Sequence, residues 1–513
     1  MTINEKYQPY VKNVLKNKIF FEDLLDKIKS SNDSESKQKF AKMAISFALA
    51  NGTGYYSSST VENVFLDIAQ NNTIENLAEE FRSNSFLHVM TESYNTGGHT
   101  RVVERWIESA DEGEIHSLIF TGYSKSFFVT ERLKNAVENK NGTIIFINNE
   151  KSDVEKGLEL RKIASGYQIV VLHVHMYDVI PLIAFGHTQF KRPIILYNHA
   201  DHLFWVGISI ADVVADLKEG MQELTTNKRG AKNNFALSVP IDIKNIKVIS
   251  KQEARNKLNI PDDKKVILTI AASYKYRPIL DLNFIEIIKP ILKADKNVIC
   301  LGVGPDRKLL PNWQKAEKKF KGQIIPLGAI EYEKLHDYIF AADIIIDGIP
   351  FGGGTALIDV ISCNRPILFI NNPLCQFDYA VKSVACCKSI VDLTDKTYML
   401  LYDEEMQKNN IKDVIEKLNR YNTVSKWKKN LKKLISMLPK EHHINKFKAK
   451  TEENISDRDV FCYLSKLNEK ENVTYFKIPF VLKLYKIKDS YSSRIILKIV
   501  HKEIIIKERI IML

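Results

Sequence analysis

Cysteine is scarce in this chain of 513 residues: six are present, and no two stand as C-x-x-C or at metal-ligand spacing with histidine. Cys300, Cys363, Cys375, Cys386, Cys387 and Cys462 therefore argue against a disulfide-stapled scaffold or a zinc ribbon, and read as small core residues. Long apolar runs are missing too. The longest, Tyr167 to Phe185, is interrupted by His173, His175, Asp178 and Pro181, which would be costly at bilayer depth. The start lacks the basic region, apolar stretch and small-residue cleavage site of a signal peptide, so a cytoplasmic protein is expected. The first 83 residues show no tetratricopeptide period, which leaves a repeat-built platform for protein substrates unsupported.

What is present is the composition of a folded chain, 45% hydrophobic and 27% charged, with length enough for two or three domains. The net charge of +12 is uneven: from Thr474 onward nine Lys or Arg face three Asp or Glu, about half of the excess. A basic end of this kind suits an acidic partner, either phospholipid or a polyanionic acceptor. Nucleic acid is not expected, because the segment has few aromatics and no recognition motif. Read as a helix, it lines up Arg494, Lys498, Lys502 and Arg509 beside Ile495, Ile499, Ile506 and Ile510, a pattern for an anionic membrane surface. The isoleucine-rich runs suit a strand equally well.

Residues 1–83 read as helical, with Phe20, Leu24, Leu25 and Ile28 at helical spacing. From Phe86 the pattern changes to short apolar runs alternating with helical stretches, and after a polar segment around 242–265 it starts again. Such alternation predicts parallel sheets wrapped by helices, here two Rossmann-like units in succession with a cleft between them. Ligands in such sheets bind beyond the carboxyl ends of the strands.

Three loops at strand ends carry candidate chemistry. Asn95-Thr96-Gly97-Gly98-His99-Thr100-Arg101 opens a helix, so Gly97 and Gly98 let the backbone approach an anion. His99 there offers an imidazole of near-neutral pKa as a general base. Asp201, in Asn198-His-Ala-Asp-His, is the second candidate base. Lys275 and Arg277 follow the first strand of the second unit, where cations would neutralise a leaving diphosphate. Gly352-Gly353-Gly354-Thr355 forms a phosphate cradle at a helix start, with Asp359 one turn further on, where a carboxylate can take two ribose hydroxyls. The cluster His173, His175, His199, Asp201 and His202 is read as ligand contacts or core in preference to a zinc site. Asp457-Arg458-Asp459 matches D-x-D by coincidence of sequence.

These stretches resemble a known family. The segment from Ser250 to Ala271, the loop Asn95–Trp106 and above all Gly328–Phe369 are similar to bacterial GT-B glycosyltransferases, the last resembling the donor site of O-linked N-acetylglucosamine transferases and their bacterial relatives. The resemblance implies an α/β fold of two Rossmann-like domains facing across a cleft. Residues 1–83 would be a helical extension, 84–245 the acceptor domain, 246–445 the donor domain and 446–513 a basic tail. It implies that Lys275, Gly354 and Thr355 hold the diphosphate and Asp359 the ribose of a nucleotide sugar, such as a UDP-sugar. No metal or other cofactor is expected, and the acceptor would be a glycan, a lipid-linked intermediate or a protein. Retaining members usually carry E-x(7)-E, whose first Glu is missing here, where Ile349-Pro350-Phe351 stands; this favours inversion and leaves the outcome open. The alternative is a catalytically silent GT-B subunit that supports a partner enzyme; a nucleotide-sugar epimerase is a third.

Overall fold

The computed structural model describes residues 3–75, 77–95, 98–122, 128–241, 248–374, 380, 382–449, 454–467, 482–488, 493–499 and 502–506. Two parallel sheets dominate it. The first contains β1 (Arg82–Met90), β2 (Ile115–Phe120), β3 (Ile144–Phe146), β4 (Tyr167–His173), β5 (Ile194–Asn198), β6 (Val213–Asp216) and β7 (Asn234–Ala236), in the order β3-β2-β1-β4-β5-β6-β7. The second contains β8 (Lys265–Ile270), β9 (Val298–Val303), β10 (Ile324–Gly328), β11 (Ile344–Ile346), β12 (Ile367–Ile370) and β13 (Cys386–Cys387), in the order β10-β9-β8-β11-β12-β13. The order reverses between β1 and β4 in one sheet and between β8 and β11 in the other. Those reversals open the crevices where doubly wound sheets bind ligands. The expected pair of Rossmann-like units is present.

Parallel strands are covered on both faces, which is why β4, β8 and β9 read as nearly unbroken apolar runs and are buried along almost their whole length. The N-terminal helices α1 (Gln8–Ser30), α2 (Ser34–Ala50) and α3 (Ser59–Gln70) supply part of that cover. Phe21, Leu24, Phe65 and Ile68 share one core with Leu87, Val89 and Leu172 of the first sheet. The attachment is also polar. Glu62 of α3 is fully buried and accepts hydrogen bonds from the backbone N–H groups of Gly207, Ile208 and Ser209 at 2.8, 3.2 and 2.8 Å, and from Ser209 Oγ at 2.5 Å.

The chain end departs from the expected tail. Asp457–Leu467 forms a helix whose Val460, Phe461, Tyr463 and Leu464 are buried with Tyr7, just before α1, and Val14 of α1 in the core of the second sheet. The D-x-D carboxylates are both engaged: Asp457 Oδ1 accepts from Asn4 N–H at 2.9 Å, and Asp459 Oδ1 from the Tyr56 hydroxyl at 2.8 Å. Leu482–Lys488, Ser493–Ile499 and Lys502–Ile506 are antiparallel strands, not a helix. Runs of β-branched isoleucine prefer that state. Arg494 and Lys498 lie on one strand and Lys502 on the next, so the helical stripe does not form. Arg509 and Ile510 lie outside the described residues. Among the described residues no helix is long and apolar enough to cross a membrane.

Removing the Glu62 carboxylate tests the polar attachment. Glu62→Ala strands three backbone N–H groups in a dry interface and is expected to cost about 3–5 kcal/mol in urea unfolding. A loss below ~1 kcal/mol would show that water reaches the site.

Candidate functional site

On the first sheet, the loop after β1 leads into α4 (Gly98–Glu108), with the Thr100 hydroxyl accepting from Tyr94 N–H at 2.7 Å. Gly98 begins the helix; Gly97 and Thr96 lie outside the described residues. His99 stands at the β1–β4 crevice, where its Nε2–H donates to the His173 carbonyl at 2.8 Å. Its ring centroid is 4.3 Å from that of His199, and its Nδ1 is buried without a hydrogen-bond partner among the described residues. Burial, reinforced by His175, lowers the His99 pKa to about 3. That lies below the near-neutral value expected, while the ring stays partly exposed at the cavity.

The Asp201 pKa is also lowered, but by a different cause. Burial opposes its ionisation, but Lys218 at 3.5 Å, His202 at 3.2 Å and Arg458 outweigh it and hold the carboxyl well below the usual range. Its loop is fixed by Arg229, fully buried over the Trp205 ring, whose Nη2 donates to the carbonyls of Asp201 and Leu203, both at 2.9 Å. His173 and His199 are joined directly, Nδ1 to Nε2 at 3.0 Å, and His173 Nε2 meets His88 Nδ1 at 3.0 Å. Both ring nitrogens of His173 are used in this way. Among the described residues no three His, Cys, Asp or Glu side chains are grouped to hold a metal ion.

On the second sheet, a short 3-10 turn after β8, Ser273–Tyr276, carries Lys275 back over the strand ends. Lys275 Nζ donates to the Gly352 carbonyl at 2.7 Å, and burial lowers its pKa to about 8 against the opposing pull of Asp347. Asp347 follows β11 directly and organises the glycine loop: its Oδ1 accepts from Gly348 N–H and Gly353 N–H, both at 2.6 Å. A Cβ at Gly352 would lie 2.3 Å from Asp347 Oδ2, and one at Gly353 2.7 Å from the Ile270 carbonyl oxygen. Gly354 has φ +66, in the region that favours glycine, and leads into the helix Thr355–Ser362. Thr355 and Asp359 lie on that helix, but their side chains are outside what is described.

The two crevices face one another across a cavity of about 860 Å³. His99, His199 and Asp201 line it from one side; Lys275, Arg277 and Gly352–Gly354 line it from the other. Of the candidate residues singled out in the sequence, Gly98, His202 and these eight thus meet in one cavity. The ones overlooked are Asp347, which holds the glycine loop, and His88, which is in the middle of a strand.

Solved structures share this architecture. A glycosyltransferase from Rickettsia africae superposes with a TM-score of 0.53 at 14% identity, over 70% of this chain and 99% of that one. HepE of Anabaena, in complex with UDP and glucose, gives 0.51 at 12%, over 68% and 99%. A mutant O-GlcNAc transferase from Thermobaculum terrenum gives 0.50 at 12%, over 79% of each chain. The fold is GT-B. No family model and no curated protein matches the sequence. In GT-B terms, the β1–β4 and β8–β11 crevices are the two walls of the interdomain cleft.

Asp347 gives the cleft a measurable pH signature. Burial raises its pKa to about 7, against the N–H groups of Gly353 and Gly348 and the charge of Lys275, from an ordinary 3.8. The unfolded chain thus releases this proton first, so the group's contribution to stability is full below ~pH 4 and is lost as pH rises through about 7. Asp347→Asn keeps Oδ1 as an acceptor and should abolish that slope. Parallel wild-type and variant curves of unfolding free energy between pH 4 and 7 would refute the assignment.

Proposed function

We propose that the chain is a glycosyltransferase that moves a sugar from a nucleotide-sugar donor to an acceptor hydroxyl, without a metal ion. The observation that carries this reading is the half-buried Lys275 side chain at the glycine loop, with Arg277, facing the histidine-lined wall across one cavity. Cavity size supports it, since sites for ligands of this class run to roughly 300–1,000 Å³. HepE, of the same fold, is solved with UDP-glucose.

In the proposed reaction the acceptor oxygen attacks the anomeric carbon and loses its proton to a base on the first wall. The bond from that carbon to the nucleoside diphosphate breaks, and negative charge builds on the diphosphate. Lys275, Arg277 and the N–H groups around Gly353, Gly354 and Thr355 stabilise it, the role a divalent cation plays elsewhere. Asp359 would hold the ribose. The acceptor is a glycan, a lipid-linked intermediate or a protein, and the basic C-terminal strands would bring an anionic surface or a polyanionic acceptor near.

Thermal shift with UDP, GDP, CMP and dTDP is the direct test. One nucleotide is expected to stabilise the protein, by about 2.7 kcal/mol at a hundred times its Kd. Lys275→Ala should weaken that nucleoside diphosphate by about 1.5–3 kcal/mol and the bare nucleoside hardly at all. Equal losses for both ligands, or none, would remove Lys275 from the diphosphate site. Binding of one nucleotide without turnover of any of its sugar conjugates would instead indicate a silent subunit.

A further inference from the structure

The first sheet contains a row of histidines that the reaction above does not require. His116 near the start of β2, His88 inside β1, His173 at the end of β4 and His199 just beyond β5 lie diagonally across four adjacent strands. Successive ring nitrogens meet at hydrogen-bond distance: His116 Nδ1 to His88 Nε2 at 2.9 Å, His88 Nδ1 to His173 Nε2 at 3.0 Å, and His173 Nδ1 to His199 Nε2 at 3.0 Å. At the far end His116 Nε2 meets Glu114 Oε2 at 3.3 Å. His116, His88 and His173 have no solvent exposure, whereas the Glu114 side chain retains 22%. Trp106 of α4 lies edge-on against the rings of both His88 and His173.

Hydrogen-bond bookkeeping gives this row a direction. A neutral imidazole has one N–H and one lone pair, so each ring must donate from one nitrogen and accept at the other. Glu114 Oε2 already accepts from Asp111 N–H at 2.9 Å, and a carboxylate can only accept. His116 therefore donates from Nε2 and accepts at Nδ1, and the same assignment passes to His88, His173 and His199. All four rings become Nε2–H tautomers, and His199 is left with a bare Nδ1. Among the described residues no hydrogen bond reaches that lone pair: His99 spends its N–H on the His173 carbonyl, and the Tyr197 hydroxyl donates to the Leu237 carbonyl at 2.9 Å.

The geometry points to a proton relay: we propose that Glu114, acting through His116, His88 and His173, holds His199 as the base that receives the acceptor's proton. This rests on the glycosyl-transfer reading above. A hydroxyl oxygen becomes strongly acidic as it bonds to the anomeric carbon, so its proton moves to His199 Nδ1. His199 passes its Nε2 proton to His173 Nδ1, His173 to His88, His88 to His116, and His116 to Glu114. Four rings end as Nδ1–H tautomers and the carboxylate as a carboxylic acid, with no imidazolium left in the sheet. The reverse shift returns the proton to the cleft once product has gone. Burial depresses the proton affinity of His88, His173 and His199, which opposes a stored positive charge and is consistent with transfer through neutral rings. His199 is thus the catalytic residue, and Glu114 a positioning residue some distance from the reaction.

Protein carrying nitrogen-15 in its histidine rings reports each tautomer by NMR. In the wild type all four rings should be Nε2–H. Glu114→Lys replaces the acceptor with a donor and should convert the four together to Nδ1–H, His199 included. A change confined to His116, or none, overturns the relay; should the variant not fold, any of the four wild-type rings found as Nδ1–H or as imidazolium overturns it. With UDP-glucose as probe, Glu114→Lys should lower kcat roughly a hundredfold and leave the Kd for UDP unchanged. Flipped tautomers with unaltered kcat would overturn the catalytic part. A wild-type protein that binds none of UDP, GDP, CMP and dTDP would count against the proposed function, while the tautomer result would stand by itself.

Discussion

A parallel sheet has no face to spare for water, because both sides of its central strands are largely apolar and helices must hide them. Two such sheets in one chain set the terms for everything around them. The first is clad on one side by α1, α2 and α3, with Phe21, Leu24 and Phe65 against Leu87 and Val89. The second recruits Val460, Phe461 and Leu464 from the helix Asp457–Leu467 late in the chain. The N-terminal helices and the returning segment are thus parts of the two cores, and it is this cladding that leaves only the strand ends open toward each other.

Inside the cleft the same scarcity of water governs chemistry. Lys275 loses proton affinity and Asp347 gains it through burial, while Asp201 stays ionised because Lys218 is beside it. One wall thus carries a cation over backbone N–H groups, and the other carries neutral imidazoles. That division suits a reaction in which an anion departs on one side and a proton on the other. Asp347 also shows how a loop of glycines keeps its shape: a single carboxylate oxygen takes two of its N–H groups.

Much of this was legible in the sequence where the signal was local. Alternating apolar runs and helical stretches announced two Rossmann-like units, and Lys275 with Gly352–Gly354 stood out because the cations and glycines directly follow apolar runs. His88 and His116 gave no such signal. A histidine within an apolar run looks like an ordinary core position, and their pairing depends on strand order and register that no short window contains. Glu62 was hidden likewise, since on a helix it reads as surface and only the fold brings Gly207–Ser209 to it. The C-terminal isoleucines satisfied helical and strand spacing together, and strand pairing decided between them.

The path of α1 has a mechanical consequence. Tyr7 and Val14 near its start are packed in the core of the second sheet, and Lys6 just before it pairs with Asp281 at 3.1 Å. Phe21, Leu24 and Ile28, further along, belong to the core of the first. Twenty-three residues of helix make a rod about 35 Å long, and here it is embedded at each end in a different lobe. Such a rod resists stretching far better than it resists rolling in its sockets. The two lobes therefore cannot draw straight apart without pulling one end of α1 from its core.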